Sequence, residues 1–208
     1  ALVSEVGCYS YLEFIATGTV GMAVMYSGAF PAMFSTFVKY KFQHTYDAIL
    51  AAPVDSEELV TAEALWIGMR VGVYGCAPVV VAMAFGLDPS WGMLALPPIC
   101  FLAGLGWALF GIIIAATLDS IDNFSYVMTG VLTPLMLTAG TFFPVEQLPD
   151  WAQVLAGLNP LYHAVELVRS AVFGWSGSAD VWHVAFLFVW ASVLWRIAIG
   201  QMTRRLVD

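Results

Sequence analysis

The feature that most limits the fold of this chain is a long run without any charged side chain. No Asp, Glu, Lys or Arg stands between Glu13 and Lys39. A helix of about 20 residues, at about 1.5 Å per residue, crosses the hydrocarbon core of a bilayer. The whole chain is 61% hydrophobic and 11% charged, whereas a soluble domain is about half apolar and about a quarter charged. The sequence therefore predicts an all-α membrane protein.

Five segments have the length and composition expected of membrane-spanning helices. They comprise residues 14–38, 65–85, 91–118, 124–140 and 181–199. Pro78 and Pro134 lie inside two of these segments and predict kinks there. We expect a single transmembrane domain over residues 1–208, with residues 39–63 on one side of the membrane and residues 141–180 on the other.

The basic residues predict how the helices are oriented. Lys39 and Lys41 follow the first span, and Arg204 and Arg205 follow the fifth. Cytoplasmic loops carry an excess of Lys and Arg, and five alternating crossings put both clusters on one side, which we take as the cytoplasm. Ala1 then lies outside, so the simplest arrangement with both ends inside has one further span upstream of Ala1. The expected total is six spans.

The predicted cytoplasmic segment, residues 39–63, has the pattern of a surface helix followed by a turn and a new helix. Four apolar residues recur on one face at helical spacing, namely Phe42, Tyr46, Ile49 and Leu50. After Pro53, Asp55 and Glu58 have the spacing of a capping box, which predicts a helix start. Two interpretations remain open: an interfacial amphipathic helix, or a docking surface for a cytoplasmic partner.

The predicted external segment, residues 141–180, contains two apolar stretches that are too short to span a bilayer. These are residues 151–158 and 161–173. Short apolar helices beside a membrane are re-entrant or interfacial, and both options place the segment at the external mouth of the bundle. Glu166 and Arg169 are three residues apart and share a helix face, so we expect a structural ion pair rather than a substrate contact.

Several kinds of chemistry have no support in the sequence. There is no Gly-x-x-x-x-Gly-Lys-Ser/Thr loop to bind ATP phosphates, and the net charge of -8 argues against a nucleic-acid partner. His163 is interpreted as an interfacial polar residue rather than a metal ligand, because no second ligand stands at a helical spacing from it. No metal site is expected.

An intramembrane hydrolase is the one alternative class that the sequence raises. Residues 174–177, Gly-Trp-Ser-Gly, resemble the serine motif of rhomboid-type proteases, and His183 is nearby. A serine nucleophile needs a base supplied by another element. Ser176 lies in a polar loop and His183 is too close to it in sequence to be an independent element, so we expect no catalytic residue.

Three stretches of the chain carry a resemblance to a known family. They are residues 11–15 (Tyr-Leu-Glu-Phe-Ile), residues 45–53 (Thr-Tyr-Asp-Ala-Ile-Leu-Ala-Ala-Pro), and residues 142–149 (Phe-Phe-Pro-Val-Glu-Gln-Leu-Pro) together with 158–169. Together they resemble the ABC-2 type permeases, in particular those of nodulation lipooligosaccharide and drug-resistance exporters. The resemblance covers nearly the whole chain.

The resemblance implies both a fold and a set of partners. Permeases of this kind have six transmembrane helices, preceded by an amphipathic cytoplasmic helix, and an external re-entrant hairpin. Five of the six helices would be present here. Two permeases would form a dimer on two separately encoded ABC ATPase subunits in the bacterial inner membrane. ATP and Mg would bind to the ATPase, while this chain would bind no cofactor and would not itself be an enzyme.

The resemblance also assigns roles to two groups of residues. The ATPase would be contacted by His44, Thr45, Tyr46, Asp47 and Pro53. The external gate region would contain Phe142, Phe143, Pro144, Asn159, Pro160, His163, Glu166 and Arg169. The implied function is ATP-driven export of an amphiphilic or glycan-type substrate, and the sequence does not separate this from a drug or lipid exporter of the same fold.

Overall fold

The computed structural model describes residues 5–6 and 9–207, and almost all of their regular structure is helical. Two two-residue strands, β1 (Glu5–Val6) and β2 (Tyr9–Ser10), pair antiparallel ahead of the first helix. The helices are α1 (Tyr11–Lys41), α2 (Thr45–Leu50), α3 (Ser56–Tyr74), α4 (Ala77–Ala84), α5 (Leu96–Thr117), α6 (Phe124–Val127), α7 (Thr133–Thr138), α8 (Asp150–Gly157), α9 (Pro160–Phe173) and α10 (Ser178–Val207). A π-helical turn, Met128–Leu132, joins α6 to α7, and 3-10 turns cover Trp91–Ala95, Ile121–Asn123 and Val145–Gln147.

Four helical segments among the described residues are long and apolar enough to cross a membrane. They are Tyr11–Lys41, Ser56–Ala84, Trp91–Thr117 and Ser178–Leu206. They overlap the first, second, third and fifth predicted spans, and the second begins at Ser56, nine residues before its predicted start. The Asp55 and Glu58 capping box, predicted from the sequence, begins α3.

The centre of the bundle is α5, which packs against α1, α3 and α10. Small residues allow α1 and α5 to approach closely. A Cβ atom added at Gly28 would lie 2.9 Å from the Cβ of Trp107, and one added at Gly111 would lie 2.6 Å from the carbonyl oxygen of Ala29. Close approach of this kind replaces the hydrophobic effect as a source of helix association in lipid.

The fourth predicted span is a continuous helical segment in which a π turn interrupts the α-helical pattern between α6 and α7. Pro134 lacks an N–H to donate to the carbonyl of Gly130, which favours a wider turn at this point. The segment nevertheless follows α1 over much of its length. Phe124 packs edge-to-face on Phe37 at 5.3 Å between ring centres, and at the other extreme Gly18 packs against the backbone of Thr141.

A second break separates α3 from α4 at Gly75 and Cys76. Pro78 stands in the first turn of α4. It cannot donate a hydrogen bond to the carbonyl of Tyr74, four residues earlier, so α3 ends there. The chain therefore departs from a regular α-helix near both Pro78 and Pro134.

The two clusters of basic residues lie at one end of the bundle, which we call the basic end. The hydroxyl of Tyr40 donates to the backbone carbonyl of Arg205 at 3.2 Å, and Lys41 Nζ donates to the carbonyl of Asp119 at 2.8 Å. At the opposite end, the hydroxyl of Ser90 donates to the carbonyl of Val172 at 3.0 Å. The placement of both clusters on a common side agrees with the sequence prediction.

The surface helix predicted after the first span is present, but it is shorter than the spacing of Phe42, Tyr46, Ile49 and Leu50 had indicated. The first helix instead runs through Lys41, and His44 takes a left-handed backbone conformation with φ of 50°. A separate short helix, α2, then begins at Thr45. Phe42 is therefore 64% exposed in the turn while Tyr46 is only 2% exposed, so the predicted apolar face is not a single face.

Candidate functional sites

The segment predicted to contact the ATPase, residues 44–53, is held to the bundle at the basic end by Tyr46, which is buried. Burial, and secondarily the nearby carboxylate of Glu63, raise the pKa of the Tyr46 phenol above its ordinary value. Glu63 is itself bound by Lys39, whose Nζ lies 2.7 and 2.8 Å from its two carboxylate oxygens. The α2 helix is thus fixed close to the ion pair that joins α1 to α3.

The other predicted coupling residues lie around this anchor. His44 Nδ1 is 2.9 Å from a carboxylate oxygen of Asp47, and both side chains are exposed. Pro53 is exposed and Thr45 is half-buried. One face of α2 is therefore buried through Tyr46, and the opposite side is open to solvent or to another protein.

Arg205 joins two helix ends at the basic end, a role that the sequence did not reveal. Its Nε donates to the carbonyl of Ala116 at 2.6 Å, and one terminal nitrogen lies 3.1 Å from the carbonyl of Thr117 and 2.6 Å from a carboxylate oxygen of Asp119. The hydrogen bond and charge of Arg205 lower the pKa of Asp119. A cation at the C-terminus of α5 also complements the helix dipole. From the sequence, Arg205 was identified only as one of the basic residues that predict the cytoplasmic side.

Arg169 organises the opposite end of the bundle. One terminal nitrogen donates to Glu166 at 2.7 Å, which confirms the pair predicted from their spacing. The other donates to the backbone carbonyl of Gly140 at 2.6 Å, and the guanidinium lies 4.2 Å from the centre of the Phe14 ring. Arg169 is only 8% exposed. It therefore ties α9 to α1 and to the turn that follows α7.

Asn159 provides a second tie between α9 and the end of α7. Its side-chain oxygen accepts from the N–H of Leu161 and caps α9, with Pro160 in the first turn. Its amide nitrogen donates to the carbonyl of Leu135 at 2.6 Å and to the hydroxyl of Thr138 at 3.2 Å. Asn159 is buried, so these bonds satisfy an amide that burial would otherwise destabilise.

The remaining predicted gate residues are not gathered around one cavity. Phe143 is exposed, whereas Phe142 and Pro144 are half-buried in the turn after α7. Pro160 is buried at the start of α9. The predicted gate residues therefore fall into two groups. Some, such as Arg169 and Asn159, are buried and connect helices, and others lie in the turn after α7, where Phe143 is exposed.

His163 is buried, and it contacts His183 on α10. The two Nδ1 atoms are 2.6 Å apart, and His163 Nε2 lies 3.0 Å from the carbonyl of Gly157. The ring also stacks on Phe186 at 3.8 Å. No group of three metal-binding side chains occurs among the described residues. His183 thus contacts His163, and the backbone N–H of Ser176 donates to Asp180.

Acidification is expected to weaken the contact of α9 with α10. Burial, and also the neighbouring His183, lower the pKa of His163 despite its bond to Gly157. Because the folded-state pKa lies below the unfolded value of about 6.5, the unfolded chain binds the proton more tightly. The stabilisation is complete above about pH 6.5 and is lost as the pH falls through the folded-state value.

Thermal unfolding in detergent at two pH values tests this expectation. The melting temperature of the wild type should be lower at about pH 5.5 than at about pH 7.5. His163→Gln removes the titrating group while keeping a hydrogen-bonding side chain, and its melting temperature should fall by less over the same interval. Equal falls in the two proteins would contradict the assignment to His163.

The structure is that of a multi-pass membrane protein. Its membrane-length helices pack through small residues, and polar side chains connect them at both ends of the bundle. Residues 4–173 match the family described as ABC-2 type transporter. The chain belongs to this family and is a membrane transport permease.

Individual relatives are consistent with this assignment. The chain is 31% identical over 208 residues to Nodulation protein J of Sinorhizobium fredii, covering 100% of this chain and 79% of the relative. It is 30% identical over 206 residues to Nodulation protein J of Rhizobium leguminosarum bv. trifolii, covering 99% and 79%. It is 29% identical over 182 residues to the inner membrane transport permease YadH of Escherichia coli, covering 86% and 68%. No solved structure matches the chain.

Proposed function

We propose that this permease is the membrane-spanning subunit of an ATP-driven exporter. Two copies would form a dimer in the bacterial inner membrane, and an ABC ATPase subunit would dock on each copy. ATP and Mg would bind to the ATPase, and this chain would bind no cofactor. The observation that carries the proposal is α2, which is anchored by buried Tyr46 and exposes Asp47 at the basic end.

The proposed orientation has five spans with the basic end in the cytoplasm. Lys39, Lys41, Arg204 and Arg205 at that end favour this direction. The α6–α7 segment would be the additional span, because it follows α1 from Phe37 to Gly18. In this arrangement α8 and α9 form a re-entrant hairpin at the external mouth, held by the Arg169 and Asn159 ties.

Export would follow from motion passed through the coupling segment. ATP binding would bring the two ATPases together, and their motion would reach α1 and α3 through Tyr46 and the Lys39–Glu63 pair. A transporter needs two arrangements whose populations the nucleotide state shifts. The cargo we favour is an amphiphile or glycan-type molecule, by analogy with the nodulation relatives. Nothing in the site geometry favours the hydrolase alternative.

Coexpression with the ABC ATPase tests the docking assignment. Ala48 lies next to Asp47 on α2 and is exposed, so Ala48→Arg should obstruct docking without disturbing the bundle. We expect the ATPase that copurifies with the permease to fall about tenfold, a loss of about 1.4 kcal/mol in binding. Asp47→Ala should uncouple ATP hydrolysis from export in reconstituted vesicles.

A matched control lies at the same end of the bundle. Asp122 is also exposed there but belongs to the turn before α6, and Asp122→Ala should leave copurification unchanged. If Ala48→Arg and Asp122→Ala retained the ATPase equally, docking on α2 would be wrong. Unchanged coupling in Asp47→Ala would count against the role of that carboxylate.

A further inference from the structure

Arg70 places a positive charge deep within a membrane-length segment. It lies 14 residues from each end of Ser56–Ala84, which is about 20 Å from Ser56 at about 1.5 Å per residue. The glycines on either side of it confirm the depth. A Cβ added at Gly68 or at Gly72 would lie 3.3 Å from Phe101, and Phe101 lies ten residues into the membrane-length segment Trp91–Thr117. Arg70 is therefore not at either membrane surface.

Arg70 has no carboxylate partner among the described residues, although it is exposed on the surface of the chain. The nearest acid on α3 is Glu63, about 10 Å away along the helix, and both of its oxygens are bound by Lys39. The guanidinium lies 6.0 Å from the centre of the Tyr74 ring, one turn further from the basic end. It therefore does not reach back toward the charged basic end.

A second copy of these residues would not supply a counter-ion. Five stretches of the chain lack Asp and Glu altogether, namely residues 14–46, 64–87, 89–118, 123–145 and 181–207. These stretches contain the central part of every membrane-length segment. Charged residues at such depth face a water-filled cavity or pair with an opposite charge, and they mark substrate pathways. Arg70 therefore has no anion to meet at that depth within residues 1–208, and it is open to an anion of another molecule.

The surroundings of Arg70 indicate what kind of molecule this is. Trp66 and Tyr74 lie one turn before and one turn after it on the same face, 57% and 58% exposed. Met69 and Val73, beside them, are also exposed. A guanidinium binds carboxylate, phosphate and sulfate groups through paired hydrogen bonds. The face thus presents one anion-binding group between two aromatic rings on an apolar surface, which suits an anionic amphiphile.

We propose that Arg70 binds an anionic group of the transported molecule, so that the cargo of this permease is an amphiphile carrying a carboxylate, phosphate or sulfate. This inference rests on the proposed transport function and adds a charge to the cargo class. Trp66 and Tyr74 contact the uncharged part of the cargo next to that group. Arg70 thus determines which cargo molecules bind. Docking of the ATPase on α2 does not depend on Arg70.

Binding of two matched probes to the purified protein in neutral detergent tests the proposal. The probes are 9,10-dibromostearic acid, used at about pH 8.5 where a carboxylic acid is ionised, and its uncharged methyl ester. Bromine quenches tryptophan fluorescence at short range, and Trp66 lies one turn from Arg70; the Trp66→Phe variant assigns the signal. The acid should bind about tenfold more tightly than the ester, as expected for a charge-assisted hydrogen bond.

Variants of Arg70 separate charge from packing. Arg70→Gln should abolish the preference for the acid while leaving binding of the ester unchanged, which also shows that the variant is folded. Arg70→Lys should keep part of the preference. Arg196→Gln, which removes an exposed arginine from α10, should behave like the wild type. An acid-to-ester ratio that stays the same in Arg70→Gln overturns the proposal.

Competition identifies the source of the anion. If phosphatidylglycerol displaces the acid at equal affinity, Arg70 holds a membrane lipid and the assignment to cargo is wrong; weak displacement supports it. The measurement requires no ATPase. If the ATPase did not dock on α2, the preference for the acid over the ester would still test the role of Arg70. If that preference were absent, the docking experiment would be unaffected.

Discussion

Replacing Arg169 with methionine is expected to destabilise the protein by about 3 kcal/mol, because the buried carbonyl of Gly140 and the carboxylate of Glu166 lose their donor. In a chain of this size that corresponds to a fall of roughly 10 °C in melting temperature. Methionine preserves much of the side-chain volume against Phe14, so the loss reports the charge and hydrogen bonds rather than a cavity. Thermal unfolding in detergent measures it.

Two further variants show whether the effect arises from an unpaired charge. The double variant Arg169→Met with Glu166→Gln should be more stable than Arg169→Met alone, because no lone carboxylate remains. Arg196→Met removes an exposed arginine from α10 and should change stability by less than about 0.5 kcal/mol. A melting temperature for Arg169→Met equal to that of Arg196→Met would contradict the assigned role.

Replacing Gly111 with valine is expected to separate α1 from α5 and to cost about 3 kcal/mol, the upper part of the range for an overfilled core. The added Cβ would lie 2.6 Å from the carbonyl oxygen of Ala29 and 3.1 Å from the backbone nitrogen of Met33. Backbone atoms cannot move aside as a flexible side chain can, so the helices themselves must shift. The fraction of monodisperse protein after detergent extraction and its melting temperature measure the effect.

Gly200 is the matched control for this substitution. It lies on α10, and no atom lies within 4 Å of an added Cβ there. Gly200→Val should therefore not destabilise the protein, because valine has a slightly higher helix propensity than glycine. If the melting temperature of Gly111→Val were as high as that of Gly200→Val, the close approach of α1 and α5 at Gly111 would not be needed for stability.

Much of the architecture could be predicted from the sequence because the bilayer restricts the choice of structure. Uncharged runs longer than about 20 residues have few alternatives to a spanning helix. The Asp55 and Glu58 capping box and the Glu166–Arg169 pair were also predictable, since both depend on spacing within one helix. The positive charges of Lys39 and Arg205 correctly predicted that α1 and α10 have their C-terminal ends on the same side of the bundle.

Features that depend on contacts between distant segments were not predictable. The left-handed conformation of His44, which separates α2 from α1, has no glycine or proline to mark it. The burial of His163 depends on α10 bringing His183 to it from 20 residues away. The depth of Arg70 became clear only from the packing of Gly68 and Gly72 against α5.

The clamp made by Arg205 has a consequence for protein engineering. Shortening a membrane protein from its carboxyl terminus is often the mildest deletion. Here a chain cut before Arg205 would lose the donor to the Ala116 and Thr117 carbonyls and the acceptor for the Tyr40 hydroxyl. Affinity tags, fluorescent fusions and crystallisation trims should therefore begin beyond this residue.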